Sequence, residues 1–293
     1  MSNLQVRTPD QVTPLVTLPT ARTHMPWYMK TLQFCQPVNP VNPVFDYRTI
    51  TKPNGKETII LVIVDVQNDF CAKGGWYFWK KGSLYVNGAE KVAKIINEIR
   101  AYLEANYNVI VVLTKDWHPQ NHCSFKSNNP GKDLFTVVEL TNPSDMSKFM
   151  QMMWPDHCVQ GTWGSDVVSD LRLDGSEIIV PKGTNRWVDS YGGGGSEDLV
   201  QENTGLLSFL QGLIDNPNIN VKAILHTGVA SDYCVDATAR QIRTLGKPVI
   251  VVESACAGVA PESTAIAIAK MKAVGIQITP DLAGLKTILL SFR

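Results

Sequence analysis

The segment TKDWHPQNHCSF, Thr114 to Phe125, brings Asp116, His118, His122 and Cys123 close together in a chain that has only five histidines. Asp116 and His118 are two residues apart, so in an extended segment both point to one side. His157, in MWPDHCVQGT, lies in a Pro-containing stretch suited to adding a third ligand. One carboxylate and two imidazoles, with positions left for water or substrate, form a donor set for a catalytic metal ion. His122 is a candidate fourth ligand or a partner of the ligands. The same residues also suit a structural zinc site using Cys123 or Cys158, or a polar loop with capping side chains and no metal.

A second group of reactive residues is spread along the chain. Cys234 sits in HTGVASDYCVDATA, where a strand-like run gives way to a helical one. A thiol in a first helical turn faces free N–H groups and the positive end of the helix dipole, and both favour thiolate. The bland reading is a small apolar core residue. Asp65 closes the apolar run in LVIVDVQNDF, as a partly desolvated base or as a turn residue. Lys182 closes another in VPKGT, as an active-site cation or as a solvated loop lysine. If the three strand ends converge, Lys⁺ favours thiolate and Asp moves the thiol proton to a leaving amine. Phe70, Trp154, Trp187 and Tyr191 lie beside these groups in sequence, as core residues or as walls of a pocket for a flat ring. The stretch YGGGGS, Tyr191 to Ser196, lacks the GK[ST] ending of a phosphate loop and reads as a flexible loop near the pocket.

The elements that must position these residues follow from periodicity. TIILVIVD is a continuous β-branched apolar run, as expected of a strand buried on both faces. NVIVVLTKD, EIIVPKG, VKAILHTGV, KPVIVVES and IQIT read as further strands. Between them, apolar residues recur at helical spacing, as at Val92, Ile95, Ile96, Ile99 and Leu103. GLLSFLQGLI, DYCVDATARQIRTLG and PESTAIAIAKMKAVG read as helices. The alternation predicts an α/β fold: a doubly wound, mostly parallel sheet of about six strands in a Rossmann-like three-layer arrangement, helices on both faces. Ligands of such sheets bind beyond the carboxyl ends of the strands, which selects Asp65, Asp116, Lys182 and the Ala230–Cys234 segment. Residues 117–175 read as largely irregular. Residues 1–55 carry Pro every few positions in their later part and form a Pro-rich extension, with 56–293 as the α/β domain. Within the extension, the aromatic patch Met25 to Phe34 is expected to lie against its own domain or a neighbouring subunit.

Composition excludes several classes. Lys plus Arg and Asp plus Glu are 27 each, and no basic run stands out, so nucleic acid and anionic membrane surfaces are not expected partners. No stretch approaches the length of a transmembrane helix. The six cysteines show no CxxC spacing and read as reduced thiols in a cytoplasmic setting. Arg7 and Arg22 against Asp10 are also compatible with an organellar presequence.

Five motifs in order, VDVQNDFC, TKDWHP, WPDHCVQGT, KGT…DSY and GVASDYCV, make the chain similar to the nicotinamidase/pyrazinamidase group of the isochorismatase-like cysteine hydrolases. The resemblance spans roughly Thr58 to Thr279. It implies an isochorismatase-like fold and assigns Asp65, Lys182 and Cys234 to the catalytic triad. Asp116, His118 and His157 take the metal-ligand positions, and Phe70, Trp154 and Tyr191 the ring-pocket positions. The Val229–Ala230 peptide matches the family's cis bond, and the N–H groups of Ala230 and Cys234 its oxyanion hole. It further implies a divalent ion, zinc first, with iron and manganese as alternatives. The implied activity is deamidation of nicotinamide, and of pyrazinamide-type analogues, to the acid and ammonia through a thioester, in NAD salvage. A homo-oligomer is compatible with it. Two departures stand out: Gly192–Gly195 replace the family's small residue and aromatics after SY, and residues 1–55 match nothing in it. The competing readings are a metal-free amide hydrolase on another small substrate and a non-enzymatic scaffold. The Asp-x-His…His set, which metal-free relatives lack, favours nicotinamide.

Overall fold

The computed structural model describes residues 56–75, 80–197 and 199–292. The Pro-rich extension and its aromatic patch lie outside the described residues.

Strand β1 (Thr58–Val64) is buried at every position. Ile59, Leu61 and Ile63 join one core, together with Ile96, Ile99 and Leu103 of α2 (Val92–Asn106) and Leu285 and Leu289 of α6 (Leu282–Ser291). Ile60, Val62 and Val64 join the other, with Leu206, Phe209, Leu210 and Leu213 of α3 (Leu206–Asp215), Ile242 of α4 (Asp236–Arg243) and Met271 of α5 (Pro261–Ala273). A strand covered on both faces has no reason to alternate polar with apolar residues, which explains its unbroken apolar run.

The remaining strands of the main sheet are β2 (Asn108–Asp116), β5 (Ile178–Lys182), β6 (Val221–Val229), β7 (Val249–Ala257) and β8 (Gln277–Thr279). Their order is β5-β2-β1-β6-β7-β8, and every pairing is parallel. The chain steps from β1 outward to β2 and β5, then returns to the other side of β1 to lay down β6. The strand order therefore reverses between β1 and β6, and a crevice opens beyond their carboxyl ends.

Two elements differ from expectation. Residues 117–175 contain an antiparallel hairpin, β3 (Val137–Thr141) with β4 (Lys148–Met152), rather than irregular chain alone. Helix α6 follows β8, opened by Asp281, whose side chain accepts from the Gly284 N–H; a Ser/Thr/Asp/Asn cap of this kind is the usual start of a helix. The short helix α1 (Asn68–Cys71) follows β1 directly.

Candidate active site

Asp65 is the first residue beyond β1, with φ of 49°, in the left-handed region that Asp tolerates better than most residues. Its backbone turns there, and the Gln67 N–H donates to the Asp65 carbonyl at 2.8 Å. Strand β2 runs on past this point, which would strand the peptide groups of Asp116. The Gln67 side-chain amide takes the place of the missing strand. Its Oε1 accepts from the Asp116 N–H at 2.7 Å, and its Nε2 donates to the Asp116 carbonyl at 2.8 Å and the Ser165 carbonyl at 2.9 Å. The β2–β5 register sets Asp116 beside Lys182.

These geometries converge on one ammonium. Lys182 Nζ lies 3.0 Å from Asp65 Oδ2, 2.5 Å from Asp116 Oδ1, 3.4 Å from Cys234 Sγ and 3.1 Å from the Ser190 carbonyl. Burial opposes its charge, but Asp116 and Asp65 hold its pKa well above the ordinary lysine value. Thr114 Oγ1 donates to Asp65 Oδ1 at 2.6 Å, fixing that carboxylate from the other side. Burial raises the Asp65 pKa to about 6, against the opposing pull of Lys182. Burial also works to raise Asp116, yet Lys182 and the histidines hold it well below the carboxylate range.

Cys234 differs from expectation in two respects. It lies in a π-helical turn, Ser231–Val235, that leads into α4, where the N–H groups of Tyr233 and Val235 both donate to the Ala230 carbonyl at 3.1 and 3.0 Å. Its thiol is not a resting thiolate: burial pushes it well above the ordinary value, against the opposing pull of Lys182. A carboxylate oxygen of Asp65 lies within 4.8 Å of the thiol. The Val229–Ala230 peptide is cis.

Asp116, His118 and His157 each offer a ligand atom within 4.8 Å of the others. The Gly183 carbonyl lies 2.9 Å from His118 Nδ1, and the Pro155 carbonyl 2.8 Å from His157 Nδ1. A carbonyl only accepts, so both Nδ1 atoms carry the proton and both Nε2 atoms carry a lone pair, the arrangement seen in histidine ligands oriented by a second hydrogen bond. His118 Nε2 is buried without a hydrogen-bond partner, 3.6 Å from Asp116 Oδ2. A buried lone pair beside a carboxylate and a second imidazole fits a divalent cation. His122 is otherwise engaged. Its Nε2 must donate to the Val188 carbonyl at 3.1 Å, its Nδ1 accepts from Ser124 Oγ at 2.8 Å, and burial lowers its pKa to about 3. Its ring lies tilted against that of His118, 4.3 Å between centroids.

Phe70, Trp154 and Tyr191 line one pocket with Asp116, His157, Ala230 and Cys234. Trp154 Nε1 donates to Tyr191 Oη at 3.1 Å, which locks the two rings together. Trp187 is absent from that lining and stacks beneath Arg186 at 4.1 Å. Tyr233, Asp189, Leu84, Val86 and Val259 complete the wall. Tyr233 lies edge-on to Trp154 at 5.1 Å and tilted to Tyr191 at 5.4 Å. Tyr233 and Asp189 stand inside the GVASDYCV and DSY motifs, so their neighbours pointed to them, whereas no pattern marks Leu84, Val86 or Val259.

The glycine tract is buried and pinned, not flexible. Gly193 N–H donates to Thr238 Oγ1 at 2.8 Å and Gly194 N–H to Gln241 Oε1 at 2.9 Å, which fastens the tract to α4. A Cβ on Gly193 would stand 2.9 Å from Thr114 Cγ2 and 3.0 Å from Thr238 Cγ2, so close approach explains the absence of side chains. The buried carboxylate of Glu202 holds the turn after β5 by accepting from the N–H groups of Gly183, Thr184 and Asn185 at 2.9, 2.7 and 3.3 Å. Sequence pattern gave no sign of it.

Fold and site together define a hydrolase-type crevice at the switch point of a parallel sheet. The isochorismatase domain family matches residues 59–280, and the chain belongs to that family. It is 33% identical over 196 residues to the nicotinamidase of Acinetobacter baylyi, covering 67% of this chain and 79% of that one. Among solved structures it is similar to the nicotinamidase/pyrazinamidase of Acinetobacter baumanii, with a TM-score of 0.62 and 32% identity over 77% of this chain and 96% of that one. The pyrazinamidase of Pyrococcus horikoshii in complex with zinc has a TM-score of 0.56 and 31% identity over 75% of this chain and 98% of that one. Among the described residues no helix is long and apolar enough to cross a membrane.

Proposed function

We propose that residues 56–293 form a metal-dependent cysteine amidohydrolase that converts nicotinamide, and pyrazinamide-type analogues, to the acid and ammonia. One observation carries the reading. A single buried ammonium contacts an aspartate at 3.0 Å, a second aspartate at 2.5 Å and a thiol at 3.4 Å, beside a pocket walled by locked aromatic rings. The nicotinamidase relatives support the choice of substrate.

Asp65, with an oxygen within 4.8 Å of the thiol, accepts the Cys234 proton, and its pKa, raised by burial to about 6, suits a group that must take and return a proton near neutrality. Lys182 stabilises the thiolate as it forms. Sulfur attacks the carboxamide carbon, and the N–H groups of Ala230 and Cys234 receive the oxyanion, a role worth about 3–4 kcal/mol per donor in such sites. Asp65 returns the proton to the amine as the C–N bond breaks and ammonia leaves. Asp65 then takes a proton from water as it attacks the thioester, and Cys234 regains it when the acid departs.

Asp116, His118 and His157 would hold the divalent ion, with zinc the first candidate and iron and manganese alternatives. When bound, that ion supplies a Lewis acid for the lone pair of a pyridine nitrogen. Phe70, Trp154 and Tyr191 hold the ring so that its amide lies over Cys234.

Ammonia release from nicotinamide, measured with and without a chelator, tests the reading. Release that disappears on chelation and returns with added zinc is expected. No release from metal-replete protein refutes the substrate, and release indifferent to chelation refutes the metal.

A further inference from the structure

Lys182 Nζ donates to Asp116 Oδ1, Cys234 Sγ and the Ser190 carbonyl and is ion-paired with Asp65 Oδ2, which is buried without a hydrogen bond of its own; all four atoms lie between 2.5 and 3.4 Å away. An ammonium has three hydrogens to give. Four such atoms around one point resemble the shell of a metal ion more than an ordinary lysine environment. Asp65, Asp116 and Cys234 also offer ligand atoms within 4.8 Å of one another, apart from the ammonium. Two oxygens and a sulfur at that spacing need contract by only about 1 Å to reach zinc bond lengths.

This shell shares a residue with the candidate metal centre. Asp116 Oδ1 points to Lys182, while Asp116 Oδ2 lies 3.6 Å from His118 Nε2. A carboxylate addressed on both sides in this way has the form of a bridging ligand in two-metal sites, where the ions stand about 3.5–4 Å apart. A divalent ion in the second position would take Cys234 as thiolate, release its proton to solvent and remove the nucleophile.

We propose that Lys182 has a second role: its ammonium occupies a latent divalent-metal site made by Asp65, Asp116 and Cys234, and so keeps the centre mononuclear and the nucleophile unligated. The ammonium carries the charge the two carboxylates require, but binds sulfur only by a hydrogen bond that breaks when the thiol reacts. Removing the lysine side chain leaves the carboxylates and the thiol around an empty, buried, negatively charged position.

Lys182→Met and Lys182→Ala test the proposal. Zinc content after equilibration and dialysis should rise by one equivalent per chain over wild type. Loading with cobalt should give a thiolate-to-cobalt charge-transfer band in the variants alone. Excess zinc should slow alkylation of Cys234, mapped by peptide mass spectrometry, by about tenfold or more in the variants and hardly at all in wild type. Adding Asp65→Asn to Lys182→Met should abolish the extra equivalent.

Variants with the wild-type metal content and no protection of Cys234 overturn the proposal. So does wild-type protein whose Cys234 is protected by excess zinc, a measurement that stands even if the variants fail to fold. Neither readout uses ammonia release, so a failure of the assigned activity would show separately.

Discussion

Arg100 and Lys182 are both buried cations, and their surroundings differ in kind. Arg100, on α2, has a side chain 2% exposed and lies near the chain that leads into β5. Its Nε donates to Glu104 at 2.8 Å, its Nη1 to Glu177 at 2.6 Å and to the Arg172 carbonyl at 3.0 Å, and its Nη2 to Asp174 at 2.6 Å. A planar fork meets its acceptors donor by donor, and Asp174 reaches water at 48% exposure. Lys182 is a point charge whose three hydrogens go to Asp116, the Ser190 carbonyl and a thiol that opens on a pocket, with Asp65 left as an ion-pair partner without a hydrogen of its own. The first arrangement is closed and can only hold elements together. The second leaves a thiol beside a carboxylate that lacks a hydrogen bond on one oxygen, and a lone pair on His118, and these are what chemistry needs.

The largest test of this contrast pairs one substitution from each cluster. Cys234→Ala should lower kcat by several orders of magnitude with thermal stability close to wild type, because the reaction loses its nucleophile. Arg100→Met should do the reverse. It removes the cation paired with Glu177, whose side chain is only 3% exposed and keeps just the Asp174 and Gly175 N–H groups, and is expected to cost about 3 kcal/mol of stability while kcat per folded chain holds. Denaturant unfolding and active-site-normalised kinetics separate the two. Comparable losses of kcat in both variants would end the division into working and holding cations.

Gln67→Leu should come next in size. It leaves the Asp116 N–H and carbonyl unpaired at the point where β1 has turned away, and a displaced Asp116 disturbs both Lys182 and the histidine pair. A fall in kcat of about tenfold or more is expected, with weaker retention of bound metal. Gln67→Glu keeps the shape and the acceptor for the Asp116 N–H, and should lose less metal. Equal losses in the two variants would show that Gln67 serves packing alone.

The pH profile sharpens the contrast further. Native Asp65, with its pKa raised by burial from 3.8 to about 6, keeps its proton in a range where the unfolded chain has lost it. Its contribution to stability therefore declines as pH rises through that window, while activity rises because the base form appears. The acid limb of kcat/KM should fall near pH 6. A limb lying near pH 4 would remove Asp65 as the base.

The smallest effect is expected at His226, on β6, which is fully buried with neither ring nitrogen hydrogen-bonded, and whose pKa is lowered by burial to about 3. Unfolded histidine gains a proton below about 6.5 while the native one refuses it, so stability is lost as pH falls through that range. His226→Leu should raise the melting temperature slightly at neutral pH and more at pH 5. A melting temperature that falls at both would show that the imidazole has a partner.

Much of this was legible in sequence because the sheet is covered on both faces. Its strands appear as apolar runs, and the residues that close them are Asp65, Asp116 and Lys182. The hairpin was hidden because its strands are mostly exposed or half-buried, with Val137 at 53% and Met150 at 65%, so no core imposes a period on them. Gln67 and Glu202 act through hydrogen bonds to distant backbone, which leave no trace in local pattern. The glycine tract misled because glycine marks both loose chain and crowded chain, and only Thr114, Thr238 and Gln241 show which it is.

The shared carboxylate of Asp116 bears on how such a centre can change over evolution. Its two oxygens serve two assemblies, so the ammonium and the imidazoles cannot drift separately. Replacing Asp116 disturbs Lys182 and the histidines together, and replacing Lys182 alters the charge beside the histidines. A double-mutant cycle between Lys182 and His118, residues that act from different strand ends, should therefore show strong non-additivity transmitted through the one side chain both address.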